Sequence, residues 1–390
     1  MDSRSSHNLP LRERCVEVGI MSAREITFVI LSEGPVLKTV RWSEGSIEYE
    51  GRLYDTLSFD APSPEEGFAE ACFELRDVTI GINFHWEQKR NLQYAGSLKF
   101  IVEGDLVTAV NVIGVEDYLL SVISSEMKSS ASLEFLKAHA VVSRSYLLCR
   151  MADHSAHARY DVCSDDHCQR YQGIAMASGP TVRQAIDQTR GQVLEYDGRI
   201  CDTRYSKCCG GRTERFSACW EDIDYPYLQP VDDNDGGRDF CDCEDAAVLS
   251  QVLNDYDLQT RDFYHWTVRR TGSEFGQLVK MRTGHDIGVI TGMTPLSRGD
   301  SGRITNLELK GTLGSLTIGK ELAIRRALSL SHLKSSAFDI SRDGDFFVLS
   351  GRGWGHGVGL CQIGAAVMAA KGYDYIQILK HYYKGASVSR

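Results

Sequence analysis

The chain of 390 residues lacks several features that would assign it at once to a class of protein. It has no run of Lys or Arg, and its formal net charge is −10, which argues against a nucleic-acid partner. No stretch approaches about 18 consecutive apolar residues, so no transmembrane helix is predicted. It contains no internal repeat and no low-complexity segment.

The first ten residues also lack the apolar segment of a secretion signal. The chain has twelve cysteines, but it is too long for a disulfide scaffold of the small secreted kind. Without a signal, these cysteines are expected to be free thiols or metal ligands. Both observations suit a protein of the cytoplasm.

Glycine occupies every second position from Gly351 to Gly359, and Arg352, Trp354 and His356 stand between the glycines. Glycine loses more chain entropy on folding than other residues but lets the backbone approach a ligand closely. We therefore predict a shaped binding loop, and a crowded turn between strand and helix is the structural alternative. The spacing fits neither nucleotide-binding glycine template, which disfavours a phosphate site.

The patterns around this loop predict a mixed α+β fold. Phe346–Ser350 is typical of a strand and Leu360–Ala370 of a helix. Near the start of the chain, short apolar runs alternate with polar residues, which predicts strands. The predicted divisions are a loose tail over 1–14, a β-rich domain over 15–95, and a main domain over 96–390 in which 245–345 is a candidate subdomain.

Glu126 lies at a break between two predicted helices, over 115–124 and 133–151. A carboxylate half-shielded by apolar neighbours such as Met127 can act as a general acid near neutral pH. A solvated glutamate at a helix end is the alternative that the local pattern leaves open.

A loop over 154–168 holds His154, His157, Cys163, His167 and Cys168. Two thiolates and two imidazoles suit tetrahedral Zn²⁺ in type and number. The spacing is not that of a zinc finger, so an irregular loop is required. The preferred ligands are His157, Cys163, His167 and Cys168, and unmetallated polar residues are the alternative.

Cys208-Cys209-Gly210-Gly211 predicts a turn with vicinal thiols. A nucleophilic cysteine would need a nearby histidine, for which His356 is a candidate, and an oxyanion hole. A close approach of the turn to a ligand is the favoured interpretation. Arg144 and Tyr146 lie on the second predicted helix, where an arginine is usually solvated unless the helix borders a cleft.

Several ordered motifs between Gly96 and Ala386 together resemble the family of stage II sporulation protein D, which includes the amidase enhancer LytB. The segments that carry the resemblance are Glu116–Leu119, Val122–Met127, Lys137–Tyr146, Cys163–Tyr171, Gly210–Glu214, Trp220–Leu228, Ser301–Arg303 and Gly353–Gln362.

This resemblance implies a lytic transglycosylase with a central cleft that acts on bacterial peptidoglycan glycan strands stripped of stem peptides. It implies that Glu126 is the catalytic acid and that the His/Cys loop holds a metal, which strengthens the expectation of zinc. Positions matched to the motifs are expected to contact the glycan: Arg144, Tyr146, Tyr227, Trp354, His356 and Gln362.

The chain departs from the family pattern at Lys207-Cys208-Cys209, where members usually have serine-rich residues, and at Gln229, where a lysine is common. Members are typically exported or anchored, whereas the start and the thiols of this chain suit the cytoplasm. Two other functions therefore stay open. One is a glycan-binding activator of a cell-wall amidase, and the other is a cytosolic zinc protein with another substrate.

Overall fold

The structure is a computed structural model that combines helices with several β-sheets, so the predicted mixed α+β class is confirmed. It describes residues 14–61, 70–82, 87–128, 130–153, 157–165, 167–174, 179–253 and 262–390. These residues group into two compact units, Met1–Asp202 with Val388–Arg390, and Thr203–Ser387. Among the described residues, no helix has both the length and the apolar composition needed to cross a membrane.

Most strands of the first unit precede its helices. They are β1 (Cys15–Ala23), β2 (Glu25–Ile30), β3 (Lys38–Ser43), β4 (Ser46–Tyr49), β5 (Arg52–Tyr54), β6 (Thr56–Phe59), β7 (Ala71–Ile80), β8 (Gln88–Ala95), β9 (Ser97–Glu103), β10 (Leu106–Gly114), β11 (Val162–Cys163), β12 (Val193–Tyr196) and β13 (Arg199–Ile200). The helices are α1 (Val115–Glu126), α2 (Leu133–Asp153) and α3 (Pro180–Gln188), and a 3-10 turn covers Leu31–Glu33.

These strands form a six-stranded sheet, β5-β4-β3-β2-β7-β8, and a five-stranded sheet, β11-β1-β10-β9-β6. Phe28 of the first sheet packs against Phe59 and Phe100 of the second, with ring centroids 5.1 and 5.0 Å apart. Alternating residues of each strand supply this apolar layer, as the period of a strand requires. The strand Ser387–Ser389 extends the small sheet of β12 and β13 and brings the chain end to this unit.

The predicted boundary at 95/96 does not coincide with the observed division of the chain. Strand β1 pairs antiparallel with β10 from Cys15 to Ala23, so residues on both sides of that boundary share one sheet. The tight β8–β9 connection runs through Gly96, whose φ is 77°. A Cβ there would lie 2.4 Å from the carbonyl oxygen of Val112, so glycine is needed at this close approach.

Helix α2 is the centre of the helical part of the first unit. Every residue from Ala138 to Leu148 is buried, although the segment includes histidine, arginine and two serines. A helix buried on all sides must satisfy each polar side chain internally, because no face meets water. The polar side chains of this buried segment of α2 are therefore expected to bond to other protein groups instead of to water.

The second unit contains three small sheets, β15-β20-β19, β16-β17-β18 and the parallel pair β14-β21. Its strands are β14 (Tyr205–Ser206), β15 (His265–Thr271), β16 (Ile290–Arg298), β17 (Ile304–Gly311), β18 (Gly314–Gly319), β19 (Phe338–Asp343), β20 (Phe346–Arg352) and β21 (Leu360–Cys361). Its helices are α4 (Ala246–Val252), α5 (Gly272–Thr283), α6 (Glu321–Ala327), α7 (Gln362–Ala370) and α8 (Tyr375–Tyr382), with a 3-10 turn over Phe216–Ala218.

The core of the second unit is built around β17, β20 and α5. Trp266, Phe275, Leu307 and Leu349 are among its buried members. The strand predicted before the glycine loop is confirmed as β20. The helix predicted after the loop begins two residues late, because Leu360 and Cys361 pair with Tyr205 and Ser206 before the helix starts.

Candidate functional site

Glu126 is the last residue of α1, and 8 % of it is exposed. The backbone turns extended at Met127, with φ −124° and ψ 157°, and the Met127 N–H donates to the carbonyl of Ile123. The predicted break between the two helices is therefore present. It leaves the carboxylate at a helix end, largely shielded from solvent and next to the buried side chain of Met127.

The end of α1 is held by the segment that follows the His/Cys loop. The hydroxyl of Ser121 donates to the carbonyl of Gly173 over 2.5 Å, and the N–H of Gln172 donates to the hydroxyl of Ser125 over 3.2 Å. The ring of Tyr171 stacks on Tyr118, with centroids 5.0 Å apart. Residues 171–173 thus connect the loop to the last turn before Glu126.

The predicted ligands His157, Cys163, His167 and Cys168 come together, with ligand atoms all within 4.8 Å of one another. His157 Nε2 lies 3.3 Å from Cys168 Sγ, and His167 Nδ1 lies 3.6 Å from the same sulfur. These four side chains form a group that could hold a metal ion. His154 lies outside the described residues.

The donor chemistry of this group suits a metal. The hydrogen bond between the two thiols lowers the pKa of Cys168 and raises that of Cys163, so one proton is shared unequally. Burial lowers the pKa of His157, which favours the neutral imidazole. A metal requires deprotonated thiols and neutral imidazoles. The shifts favour these forms at Cys168 and His157, whereas the hydrogen bond with Cys163 raises the pKa of His167.

Two residues that were not among the predicted ligands, Tyr160 and Asp165, contact the ligands. The ring of Tyr160 stacks on His157, with centroids 4.7 Å apart. A Cβ at Gly19 would lie 2.6 Å from the Tyr160 ring, so glycine in β1 makes room for it. Asp165 accepts from the Cys163 thiol over 3.1 Å and from the His167 N–H over 2.8 Å. Only a tertiary contact identifies Gly19, because it precedes the loop by more than 130 residues.

Arg144 lies in the interior, where its guanidinium is bonded to protein partners, and its predicted contact with substrate stays a prediction. Its Nε and Nη2 donate to Glu116 over 3.0 and 2.6 Å, and Nη1 donates to the carbonyl of Gln192 over 2.9 Å. The Arg144 side chain has no exposed surface and that of Glu116 is 6 % exposed. Tyr146, two residues further along the same helix, is buried as well.

Four glycines of the loop in the second unit adopt left-handed conformations. Gly353, Gly355, Gly357 and Gly359 have φ of 78°, 96°, 79° and 71°. Trp354 exchanges two backbone hydrogen bonds with Cys208, over 2.8 and 3.0 Å. The loop therefore packs on the vicinal-cysteine turn, and a Cβ at Gly353 would lie 3.0 Å from the carbonyl oxygens of Cys208 and Cys209. A Cβ at Gly357 would instead meet the Arg303 guanidinium, and one at Gly359 the carbonyl of Arg204.

Two buried charged residues join the motifs of the second unit. Arg303 has no exposed surface, and it donates to the carbonyls of Gly355 and Cys209 and to the hydroxyl of Ser301. Glu214 is also fully buried. Its carboxylate accepts from the N–H and hydroxyl of Ser301, and its own N–H donates to the carbonyl of Gly357 over 2.9 Å.

Among the predicted glycan contacts of this unit, Trp354 and His356 are half-buried, whereas Tyr227 and Gln362 are buried. The Nδ1 of His356 accepts from the N–H of Val358 over 3.0 Å, and its ring meets Trp220 edge-on at 4.8 Å. Burial lowers the pKa of His356 well below its ordinary value, and nearby arginines act in the same direction. A neutral ring with Nδ1 occupied keeps its proton on Nε2.

Cys208 and Cys209 are fully buried, and burial raises the pKa of each thiol well above its ordinary value. A nucleophilic cysteine needs an accessible thiolate, so this environment is the opposite of what that alternative requires. Glu126 belongs to the first unit and the glycine loop to the second.

Comparisons with known proteins agree with the motifs. Residues 103–196 match the sequence model of the stage II sporulation protein family, and residues 214–359 match a domain of unknown function, DUF8618. The first match contains Glu126 and the whole His/Cys loop. The second match contains Glu214, Ser301, Arg303 and the whole glycine loop.

Individual relatives cover most of the chain. An uncharacterized protein of Brachyspira hyodysenteriae is 29 % identical over 297 residues, which are 76 % of this chain and 72 % of that protein. Stage II sporulation protein D of Bacillus subtilis is 28 % identical over 72 % of this chain and 76 % of its own length. The amidase enhancer of Bacillus subtilis is 28 % identical over 70 % of this chain, but only 40 % of the enhancer is covered. The resemblance predicted from the motifs is thereby confirmed.

Proposed function

We propose that this chain, a relative of stage II sporulation protein D and of the amidase enhancer, is a lytic transglycosylase of peptidoglycan glycan strands. The family is implicated in cell-wall processing. The finer assignment rests on one observation, the shielded carboxylate of Glu126 at the helix break inside the stage II sporulation domain.

In this mechanism, protonated Glu126 donates its proton to the glycosidic oxygen between MurNAc and GlcNAc. The bond breaks through an oxocarbenium-like transition state. The carboxylate then accepts the proton of the sugar's own C6 hydroxyl, whose oxygen attacks C1 and closes a 1,6-anhydro ring. One carboxylate suffices because the nucleophile belongs to the substrate, in contrast to glycosidases that use two.

Holding the C6 hydroxyl against C1 recovers entropy that attack by free water would lose, so positioning carries much of the rate. Trp354, which is half-buried, would offer a ring face for a sugar. Zinc on His157, Cys163, His167 and Cys168 would supply a structural crosslink of the loop. The loop's continuation through residues 171–173 would then hold α1 below Glu126.

The test is incubation with denuded glycan strands and mass spectrometry of 1,6-anhydroMurNAc products. Glu126→Gln removes the proton donor at constant size, and we expect product formation to fall at least about 100-fold, the range of a lost general acid. Glu134→Gln is the matched control, because Glu134 lies in α2 and pairs with Lys137 near the surface. Absence of product from the unaltered protein, or equal product from Glu126→Gln, would contradict the proposal.

A glycan-binding activator of a cell-wall amidase is the second candidate, and the similarity to the amidase enhancer favours it. For this function, Glu126→Gln keeps the stimulation of an amidase, while Trp354→Ala loses binding to glycan strands. Co-sedimentation with purified peptidoglycan and an amidase assay separate the two functions.

Both candidates place the protein at the cell envelope, where its substrate or partner lies. Cell fractionation tests this requirement. Recovery of the protein in the cytosol alone would favour the remaining alternative, a zinc protein with another substrate.

A further inference from the structure

A second group of metal-ligating side chains lies in the interior of the second unit. It consists of Cys209, Asp233, Cys241 and Cys361, whose ligand atoms all lie within 4.8 Å of one another. All four residues are buried, with exposures of 1 % or less. The group is built from three distant parts of the chain, and none of these residues was a predicted metal ligand.

The spacing of the sulfurs fits one ion better than it fits a disulfide. Cys209 Sγ and Cys241 Sγ are 3.5 Å apart. Sulfurs on a tetrahedral zinc with Zn–S bonds of about 2.3 Å stand ~3.8 Å from one another, whereas a disulfide requires about 2.05 Å. The sulfurs and the carboxylate also converge on one volume instead of forming separate pairs.

The surroundings of the Cys361 sulfur stabilise a negative charge on it. It accepts hydrogen bonds from the backbone N–H of Cys209 over 3.2 Å and of Gly364 over 3.4 Å. Cys361 is also the N-cap of α7, so the partial positive charge of the helix N-terminus faces it. Backbone donors and a helix terminus offset the excess negative charge that three thiolates and a carboxylate would bring around a divalent cation.

The carboxylate of Asp233 is oriented by a second layer of contacts. The hydroxyl of Tyr382 donates to Oδ1 over 2.6 Å, while Oδ2 faces the thiol of Cys209 at 3.2 Å. A Cβ at Gly364 would lie 2.3 Å from the Tyr382 hydroxyl and 2.6 Å from both Asp233 oxygens. Only glycine permits this arrangement, which has the form of the outer hydrogen-bonding shell of a metal site.

We propose that Cys209, Asp233, Cys241 and Cys361 bind a Zn²⁺ ion in a closed structural site that is separate from the His/Cys loop. Four protein ligands complete a tetrahedral shell, so no position is left for water or substrate. The ion would crosslink the Cys208-Cys209 turn to the start of α7. Since Trp354 and Arg303 both bond to that turn, the ion would fix the platform on which the glycine loop packs.

The test is elemental analysis of zinc in the purified full chain after reconstitution with zinc. To count this site alone, the ligands of the other group are removed by Cys163→Ser with Cys168→Ser. This background is expected to retain one zinc per chain, and adding Cys241→Ser is expected to remove it. Cys219→Ser is the matched control, because Cys219 is a buried cysteine of the same unit that is not in the group.

A measurement on the unaltered chain keeps the test decisive if a variant fails to fold. Cobalt replacing zinc gives sulfur-to-cobalt charge-transfer absorption whose intensity grows with the number of thiolate ligands. The proposal expects three thiolates here in addition to the two of the His/Cys group.

Three results would overturn the assignment: no zinc in the background variant, cobalt absorption from two thiolates only, or a Cys209–Cys241 disulfide found by mass spectrometry. All three are independent of glycan cleavage, so they leave the proposed enzymatic function to its own test.

Discussion

Replacing Arg144 by methionine removes the cation from a buried ion pair in the first unit. The Arg144 and Glu116 side chains are 0 % and 6 % exposed, and two hydrogen bonds join them. Glu116 also accepts from the N–H of Gly191 over 3.2 Å. Methionine fills a similar volume, so the main loss is electrostatic, and a carboxylate is left buried without its counter-charge.

Breaking a buried ion pair on one side costs about 3–5 kcal/mol of unfolding free energy. For a unit of ~150–250 residues, each kcal/mol lowers the melting temperature by about 2–4 °C, so the expected decrease is roughly 6–20 °C. Glu116→Leu alone leaves a buried guanidinium and is expected to cost a similar amount.

The double variant Arg144→Met/Glu116→Leu separates the cost of an unpaired charge from the value of the pair. Both charges are gone, and only the Gly191 N–H and the Gln192 carbonyl lose a partner. We therefore expect the double variant to lose only about 1–3 kcal/mol, well below the sum of the two single variants. Urea unfolding of the four proteins gives this coupling energy directly.

The same variants decide between a structural and a substrate-binding Arg144. If the residue is structural, Arg144→Met cleaves glycan strands at a normal rate per folded molecule when assayed well below its melting temperature. Unchanged stability together with lost cleavage would refute the ion-pair reasoning and restore the contact with substrate predicted from the motif.

Three further predictions concern the glycine loop and the His/Cys group. Gly357 has a φ of 79°, and a Cβ there would lie 2.5 Å from the Arg303 guanidinium, whereas Gly344 also has a positive φ but has open space around it. We therefore expect Gly357→Ala to lower the unfolding free energy of the second unit by about 1–3 kcal/mol more than the control Gly344→Ala does, as measured by urea unfolding. Burial lowers the pKa of His356 in the folded state, so the unfolded chain binds one more proton than the folded chain as pH falls below about 6.5. The melting temperature should therefore decrease with pH in this range, and His356→Gln should make that decrease smaller. Zinc bound by the His/Cys group should be released as pH falls, because protons compete with the metal for thiolate and imidazole. His167→Ala removes one ligand, so the midpoint pH of zinc release, followed with a colorimetric chelator, should be higher for this variant.

Local patterns were sufficient for most of the elements around the site. The strand before the glycine loop and the two helices that flank Glu126 each depend on neighbours a few residues away. The candidate ligands of the His/Cys loop were found for the same reason, since they lie within one short segment. Hydrophobic periodicity, turn residues and ligand type act at this range.

Local patterns of this kind do not predict contacts between segments that are distant in the sequence. The cysteine group joins Cys209 to Cys361 across 152 positions, and the carboxylate of Glu214 meets Ser301 across 87. No local period relates residues so far apart, so isolated cysteines and an isolated glutamate carry no signal of their partners. The division of the chain after Asp202 depends on the same long-range pairing.

The sequence by itself determined the mixed fold class, the family resemblance, the helix break at Glu126 and the strand that precedes the glycine loop. Each follows from residue type and near-neighbour spacing. Only the tertiary structure decided that Arg144 is an interior ion-pair partner and that Arg303 and Glu214 connect the motifs of the second unit. Burial removes water from a charged group and forces it onto a protein partner, and burial is a property of the packed chain.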